Sequence, residues 1–418
     1  MINLKNMDYN QLENLIRKNT VRESVKLGII AEIDGCWVRV MFDGFFSGYF
    51  NEFDKIKNEA ENDYGLIKTE IIGRDMKGKR TFFLHKTIKS WTHWQEWTEL
   101  QWVDGALLTL KLQQFIHKHN FYLIDPHMNN ITFDGCNPVW IDYDSFKHAT
   151  QRPLNMRKWI RNFWHARNPS SGWCKSIPKD IITDLIYGTD DPMGDSINFL
   201  EKYEVDKHKT KWTKYPHLLP ESMNIINPKT YSGKYKTFWN LFTMIKGDNV
   251  NSVIDIGCSK GNFTELIERH GIKRVVALDI DSGALNNIYT KYKGTDKPIT
   301  VVYADLMSLY DACGYILSSY DRLKCDVAIA VAVIHHLSFF NNVELLDVAK
   351  KISKLGEKYA IVEWIDKRDK YLKNKKNFRP DYNRANFINS FTKYYTGKWF
   401  SKMSESGTRE MFLFTRGE

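Results

Sequence analysis

The chain has 418 residues, 60 Lys and Arg against 50 Asp and Glu for a net charge of +10, and 43% apolar and 14% aromatic residues. That is material for two or three packed domains, which excludes a disordered or low-complexity chain, and no apolar run approaches the ~20 residues that span a membrane. The positive charge permits an anionic partner such as nucleic acid, but Lys and Asn abound along the whole chain, as biased base composition would produce, and that is the preferred reading. Six cysteines without a Cys-x-x-Cys pair indicate neither a zinc site nor a disulfide framework. With no leader pattern in Met1–Asn10, a cytoplasmic location is expected.

Residues 1–85 are expected to form an α+β lead-in, with a helix over Asp8–Lys18 and a hairpin joining Gly28–Ile33 to Cys36–Phe42 about Asp34-Gly35. A second hairpin is expected to join Thr69–Ile72 to Arg80–Leu84 across Met76–Lys79. Residues 86–165 carry the first chemical signal. A Trp-rich stretch, Trp91 to Trp97, precedes a helix over Asp104–His119, and two segments follow, Tyr122–Phe133 and Pro138–Phe146, separated by a turn at Asp134-Gly135.

Within them, Asp125-Pro-His127-Met-Asn-Asn130 and Ile141-Asp142 resemble the catalytic loop and metal-binding aspartate of aminoglycoside-phosphotransferase-like kinases. The resemblance puts Asp125 where the base belongs, Asn130 and Asp142 where Mg²⁺ ligands belong, and lets Lys86 face phosphates. Two departures argue for a scaffold without phosphotransfer. Leu123 stands where that family has a histidine, and Gly44-Phe-Phe-Ser-Gly48 is a poor substitute for a glycine-rich loop. No metal is expected, with Asn130 and Asp142 as the only candidates. Residues 166–245 read as a helical connector after the basic aromatic helix Arg157–Trp164, with a loop at Asn168–Gly172 and proline punctuation from Thr210 to Pro228. Its interleaved cations and aromatics could stack nucleic-acid bases; packing into the core is the preferred reading.

Residues 246–418 are the most legible. The β-branched run Val253, Ile254, Ile256 ends on Gly257, and Gly261, Phe263, Leu266 and Ile267 restart at helical spacing, which reads as strand, tight turn and helix. Asp255-x-Gly257-x-x-x-Gly261 differs from the dinucleotide fingerprint and resembles the first motif of class I S-adenosylmethionine (SAM)-dependent methyltransferases. Lys273–Asp279 is a second strand ending in an acid at the spacing that places a carboxylate on ribose hydroxyls. Further strands are expected at Ile299–Asp305, Cys325–Ile334 and Lys358–Glu363, with a closing hairpin of Lys398–Met403 and Arg409–Thr415 around Ser406-Gly407.

The resemblance implies a Rossmann-like, seven-stranded α/β domain that binds SAM through Asp255, Gly257, Gly261, Asp279 and Asp305, with Cys258, Ile280 and Leu306 adjoining, and a helix over Tyr235–Ile245 above the pocket. Glycines at 257 and 261 are expected because a side chain there would occupy the ligand's space. For the chemistry, His335 and His336 at the end of the fourth strand are candidate bases or a structural turn, and Glu363 is the alternative base or orienter. The whole order, from the Trp-rich segment to Val333-Ile-His-His-Leu337 and Ser406-Gly-Thr-Arg409, resembles nodulation-protein-like class I methyltransferases. An oxygen or nitrogen of a small or conjugated substrate is the default acceptor. A bifunctional kinase and methyltransferase, or a nucleic-acid methyltransferase using Lys367–Lys370 and Lys373–Lys376, stay open.

Overall fold

In the computed structural model the residues described are 4–24, 28–33, 36–42, 49–77, 79–88, 90–150, 154–165, 177–204, 224, 227–311, 318–374, 379–403 and 407–417. The expected features at Asp34-Gly35, Gly44–Gly48, Gly78, Asn168–Gly172, Ser406, most of Thr210–Pro228, and Lys375 and Lys376 lie outside them. Two compact units emerge, the first ending at Asp206 and the second running from Lys207 to Glu418. The short segments Gln95–Thr98 and Gly135–Asn137 belong to the second.

The first unit opens with α1 (Tyr9–Lys18), whose N-terminus Asp8 caps through its carboxylate, as the Asp-x-x-Gln capping box requires. Strands β1 (Thr20–Ser24), β2 (Gly28–Ile33), β3 (Cys36–Phe42), β4 (Thr69–Asp75) and β5 (Arg80–His85) form an antiparallel sheet in the order β1-β2-β3-β5-β4, and α2 (Phe50–Asp63) is inserted between β3 and β4. Leu12 and Ile16 of α1 meet Ile29, Ala31, Val38, Val40 and Phe82 in one core. Then follow α3 (Glu99–His117), β6 (Phe121–Leu123), β7 (Ile131–Asp134), β8 (Asn137–Trp140) and β9 (Phe146–His148). The helices α4 (Met156–His165), α5 (Lys179–Tyr187) and α6 (Pro192–Lys202) complete this half. The third helix starts five residues before the expected Asp104, which is itself buried inside it. Its buried residues include the polar Gln101, Asp104 and Gln113, so no change from polar to apolar marks its start.

The second unit begins with α7 (Gly233–Phe242) and continues as β10 (Ser252–Ile256), α8 (Asn262–Arg269), β11 (Arg274–Asp279), α9 (Ser282–Tyr292), β12 (Ile299–Tyr303), α10 (Ser319–Leu323), β13 (Cys325–Ala330), α11 (Leu345–Leu355), β14 (Gly356–Ile365), α12 (Arg384–Thr392), β15 (Trp399–Met403) and β16 (Arg409–Thr415). The sheet order is β12-β11-β10-β13-β14-β16-β15, parallel from β12 to β14 and antiparallel at β16 and β15. This is a Rossmann-like α/β sheet with its crossover between β10 and β13, the point where such sheets bind ligands beyond their carboxyl ends. Strands β10, β11 and β13 are buried almost throughout because helices cover both faces, so their β-branched runs are continuous rather than alternating. Strand β14 is longer than its expected six residues, since its ladder with β16 runs from Tyr359 to Ile365.

Two of this unit's ties involve the short segments. Glu96 pairs with Arg322 through two bonds of 2.8 and 2.6 Å with both side chains buried, and also accepts from the Ser319 hydroxyl at 3.3 Å. Asn137 donates to the Thr295 carbonyl and accepts from the Gly294 amide, each at 2.8 Å.

Candidate active site at the carboxyl edge of the seven-stranded sheet

Where β10 ends, the chain turns through Gly257 (φ 70°) and Gly261 (φ 81°) into α8. A Cβ on Gly257 would stand 2.4 Å from Val333 Cγ2, and one on Gly261 2.8 Å from the Ile288 side chain. Left-handed backbone and close protein packing therefore both call for glycine at these two positions. Asp279, at the end of β11, ties the neighbouring turns together: its Oδ2 accepts the Ser259 amide at 2.7 Å and its Oδ1 the Asp281 amide at 2.9 Å. Burial raises its pKa, against those amides.

Asp281 caps α9 by accepting the Ala284 amide at 3.0 Å through Oδ1, while its buried Oδ2 has no hydrogen-bond partner among the described residues. Between the two acids Ile280 is 57% exposed, an apolar side chain held in the open. Asp305 follows β12 and accepts the Met307 amide at 2.9 Å; Leu306 beside it is buried. Asp255 lies under the turn and accepts the Thr264 hydroxyl at 2.7 Å. Burial lifts its pKa to about 7, the Thr264 hydroxyl opposing and the Asp279 charge adding. Burial, and then the charges of Asp279 and Asp255, push the Cys258 thiol well above its ordinary value, so it stays a neutral packing group. The set fits a nucleoside: acids with open lone pairs suit vicinal hydroxyls, and an exposed aliphatic side chain between them suits a flat base.

A second cluster stands at the β14–β16 side. Glu363 is 3% exposed on β14, and its Oε2 has no hydrogen-bond partner among the described residues. Burial raises its pKa, opposed by the Arg409 guanidinium 3.8 Å away, by Lys234 and by the amide of Ala332. Ala332 occupies the turn leaving β13 with φ 60°, a left-handed conformation costly for a residue with a Cβ. Arg409 is fixed from its other side by Asp369, at 2.9 and 3.2 Å, and Asp369 also accepts the Thr408 hydroxyl at 3.0 Å.

A cavity of about 590 Å³ opens onto this cluster, and its lining includes Lys234, Glu363, Asp369, Tyr371, Thr408 and Arg409. Lys234, in the first turn of α7, is reached from the cavity, yet its ammonium lies 5.5 Å from the rings of both Tyr235 and Phe263. That crowding draws its pKa down, with Glu363 opposing.

His335 and His336 begin the helical turn after β13, their ring centroids 4.0 Å apart. Burial, followed by His336 and Arg409, lowers the His335 pKa to about 3, and burial lowers that of His336 to about 4. Both rings are neutral at physiological pH. Neither lines the cavity beside Glu363.

In the first unit, Asn130 donates its side-chain amide to the Asp125 carbonyl at 2.8 Å, and Asp142 pairs with Arg39 at 3.3 Å. Lys86 pairs with Asp134 at 2.6 Å. Among the described residues no group of three or more His, Cys, Asp or Glu could hold a metal ion.

Sequence reasoning passed over Lys234, Asp369 and the free oxygen of Asp281. Lys234 is one of 60 basic residues and stands just before the expected helix start. Asp369 lies 40 residues from its partner Arg409, a pairing no local pattern announces. For Asp281 a signal existed: an acid two residues after the ribose-type acid, on the same turn.

Residues 233–417 match the family model described as FtsJ-like methyltransferase. The nodulation protein NoeA of Rhizobium meliloti (strain 1021) is 21% identical over 399 residues, covering 80% of this chain and 82% of its own length. Among solved structures, the methyltransferase domain of bacterial CtHen1-CN is 17% identical, covering 44% of this chain and 100% of its own, with a TM-score of 0.34. An S-adenosylmethionine-dependent methyltransferase from Clostridium acetobutylicum ATCC 824 is 13% identical, covering 44% and 92%, also at 0.34. The match begins at Gly233 and so takes in α7. A family match laid over this sheet and its acid-lined edge identifies the chain as a methyltransferase that uses S-adenosyl-L-methionine as methyl donor.

Proposed function

We propose that the chain methylates an oxygen or nitrogen of a small or conjugated substrate seated in the cavity beside Glu363. In this reading Asp279 and Asp281 hold the ribose hydroxyls of the donor, Ile280 and Leu306 flank the adenine, Asp305 receives its amino group, and Asp255, Gly257, Cys258 and Gly261 shape the turn beneath. SAM supplies a methyl group already activated on a sulfonium, so the protein's task is alignment and removal of the acceptor's proton.

The observation that carries the assignment of the base is the unpartnered Oε2 of a buried carboxylate on the cavity wall. Leaving such an atom unmade costs about 1–3 kcal/mol, a cost that binding of an acceptor hydroxyl or amine removes. Its raised pKa makes Glu363 a better proton acceptor than an ordinary carboxylate. Arg409, itself held by Asp369, and the Ala332 amide keep the carboxylate in place. His335 and His336, depressed to about 3 and about 4, are weaker bases, and we assign them to the turn that shapes the cleft. The test is Glu363→Gln assayed for transfer of labelled methyl groups into a metabolite extract. Loss of turnover with donor binding intact supports the reading, and full turnover refutes it.

For the first unit we infer a kinase-like scaffold that transfers no phosphate. The support is an antiparallel sheet with one helix inserted between its third and fourth strands, and an Arg39 on the third strand paired with Asp142. Against turnover, the Asn130 side-chain amide is engaged with its own loop. Within this proposal we keep the divisions 1–85 and 86–165, and a connector from 166 that runs on into the second unit. ATP hydrolysis that disappears in Asp142→Ala would contradict it.

A further inference from the structure

Eight charged side chains line the cavity beside Glu363: Lys234, Arg368, Lys370, Lys373 and Arg409 against Glu363, Asp369 and Glu410. Most of them are matched. Arg409 is bound to Asp369 at 2.9 Å and stands 3.8 Å from Glu363. Glu410 is engaged by Arg384 at 2.6 Å, and Arg368 by Asp366 at 2.8 Å, each from outside the lining. Three lysines are left. Among the described residues Lys234, Lys370 and Lys373 have no carboxylate within ion-pair distance; the nearest features of the first two are rings, Lys370 at 5.0 Å from Tyr371 and Lys234 at 5.5 Å from Tyr235 and Phe263.

Opposite charges are therefore unequally distributed. Glu363 and Asp369 share Arg409 and Glu410 has Arg384, and the charge of Glu363 also reaches Lys234, whereas the ammonium groups of Lys370 and Lys373 line the cavity with no carboxylate paired to them among the described residues. A neutral occupant would leave them so, and a cationic one would meet repulsion. The volume, about 590 Å³, is that of a small-molecule pocket.

Resting on the reading of this cavity as the acceptor site, we propose that the methyl acceptor is a small molecule bearing a carboxylate or phosphate group in addition to the hydroxyl or amine that is methylated. The anionic group binds Lys370 and Lys373, with Lys234 deeper in the recess, while the hydroxyl or amine donates its hydrogen bond to Glu363 Oε2. On transfer the carbon–sulfur bond of the donor breaks and a carbon–oxygen or carbon–nitrogen bond forms. The acceptor's proton passes to Glu363, and the donor leaves as a neutral thioether. The anionic group takes no part in the bond change and survives in the product.

The experiment uses the full-length protein, tritiated SAM and a low-molecular-mass metabolite extract, with products separated by charge. Label in the anionic fraction is expected. Inorganic phosphate and acetate are each tested as competitors, and the stronger one tells a phosphate from a carboxylate. The double variant Lys370→Gln/Lys373→Gln should raise the KM for the labelled acceptor about tenfold, the effect of two screened ion pairs acting together, and leave kcat nearly unchanged. Lys236→Gln, on the same helix as Lys234 and outside the lining, should alter neither. Label in the neutral or cationic fraction, transfer to added RNA alone, or a KM indifferent to the two lysines would each overturn the proposal. Failure of the base assignment looks different: Glu363→Gln would then turn over at the full rate while the lysine variants still raised KM.

Discussion

Asp279→Asn is the most informative single change at the donor end, because the structure assigns both carboxylate oxygens. Oδ2 accepts the Ser259 amide at 2.7 Å and Oδ1 the Asp281 amide at 2.9 Å. An asparagine supplies one acceptor oxygen and one donor NH₂, so whichever way its amide is turned, one backbone N–H meets another donor. An unmade bond to a buried N–H costs about 1–3 kcal/mol, and this cost falls on the folded protein without ligand. Loss of the charge costs the donor complex a further ~1.5–3 kcal/mol for each ribose hydroxyl bond weakened, a tenfold or greater fall in affinity. Thermal unfolding of the unliganded protein reads the first effect, and calorimetric titration with S-adenosylhomocysteine the second. A variant that unfolds at the wild-type temperature and binds with undiminished affinity would refute both the turn-tying role and the ribose assignment.

Asp255→Asn should act in the opposite sense. The folded-state pKa of about 7 lies above the ordinary 3.8, so the folded protein holds a proton that the unfolded chain has released; wild-type stability falls as pH rises from about 4 to 7 and is flat above. The asparagine variant should lack that slope and be more stable at pH 8, by a few kcal/mol at most, in urea titrations run across that range; a parallel pH dependence in both proteins contradicts the account. Arg322→Ala leaves Glu96 buried without its ion pair and should cost about 3–5 kcal/mol of unfolding free energy, much of it recovered when Glu96 is replaced by Met in the same chain. Additive effects of the two changes would mean the pair is not coupled. Gly257→Ala should destabilise the fold even without ligand, since its Cβ would meet Val333 at 2.4 Å, and an unchanged unfolding midpoint would contradict that packing reason.

Much of the second unit is legible in the sequence because central parallel strands are buried on both faces. Val253, Ile254 and Ile256, broken only by Asp255, and Val275 to Leu278 announce themselves as apolar runs ending in Gly257 and Asp279. The acids at 255, 279 and 305 are readable for the same reason, each a polar residue at or just past the carboxyl end of an apolar run. What is not readable depends on partners distant in sequence. Glu363 looks like a strand end, yet the ladder with β16 carries the strand to Ile365 and buries the carboxylate beside Arg409. The histidine pair draws attention by composition, and only packing shows both rings desolvated and neutral. The early start of α3 escapes because polar residues such as Gln101 and Asp104 are buried in its first turns and blur the amphipathic edge.

The central claim is that Glu363 accepts the proton of the methyl acceptor, and the dependence of kcat on pH in wild type and Glu363→Gln tests it most directly. Burial raises this carboxyl's pKa, so the wild-type rate should climb with pH along an acid limb lying above the usual carboxylate range and then level off, with no limb contributed by His335 or His336. In Glu363→Gln the limb should vanish and kcat fall by about 10²–10⁴-fold, while S-adenosylhomocysteine binding is retained. An unchanged limb in the variant, or a kcat within a few-fold of wild type, would contradict the account.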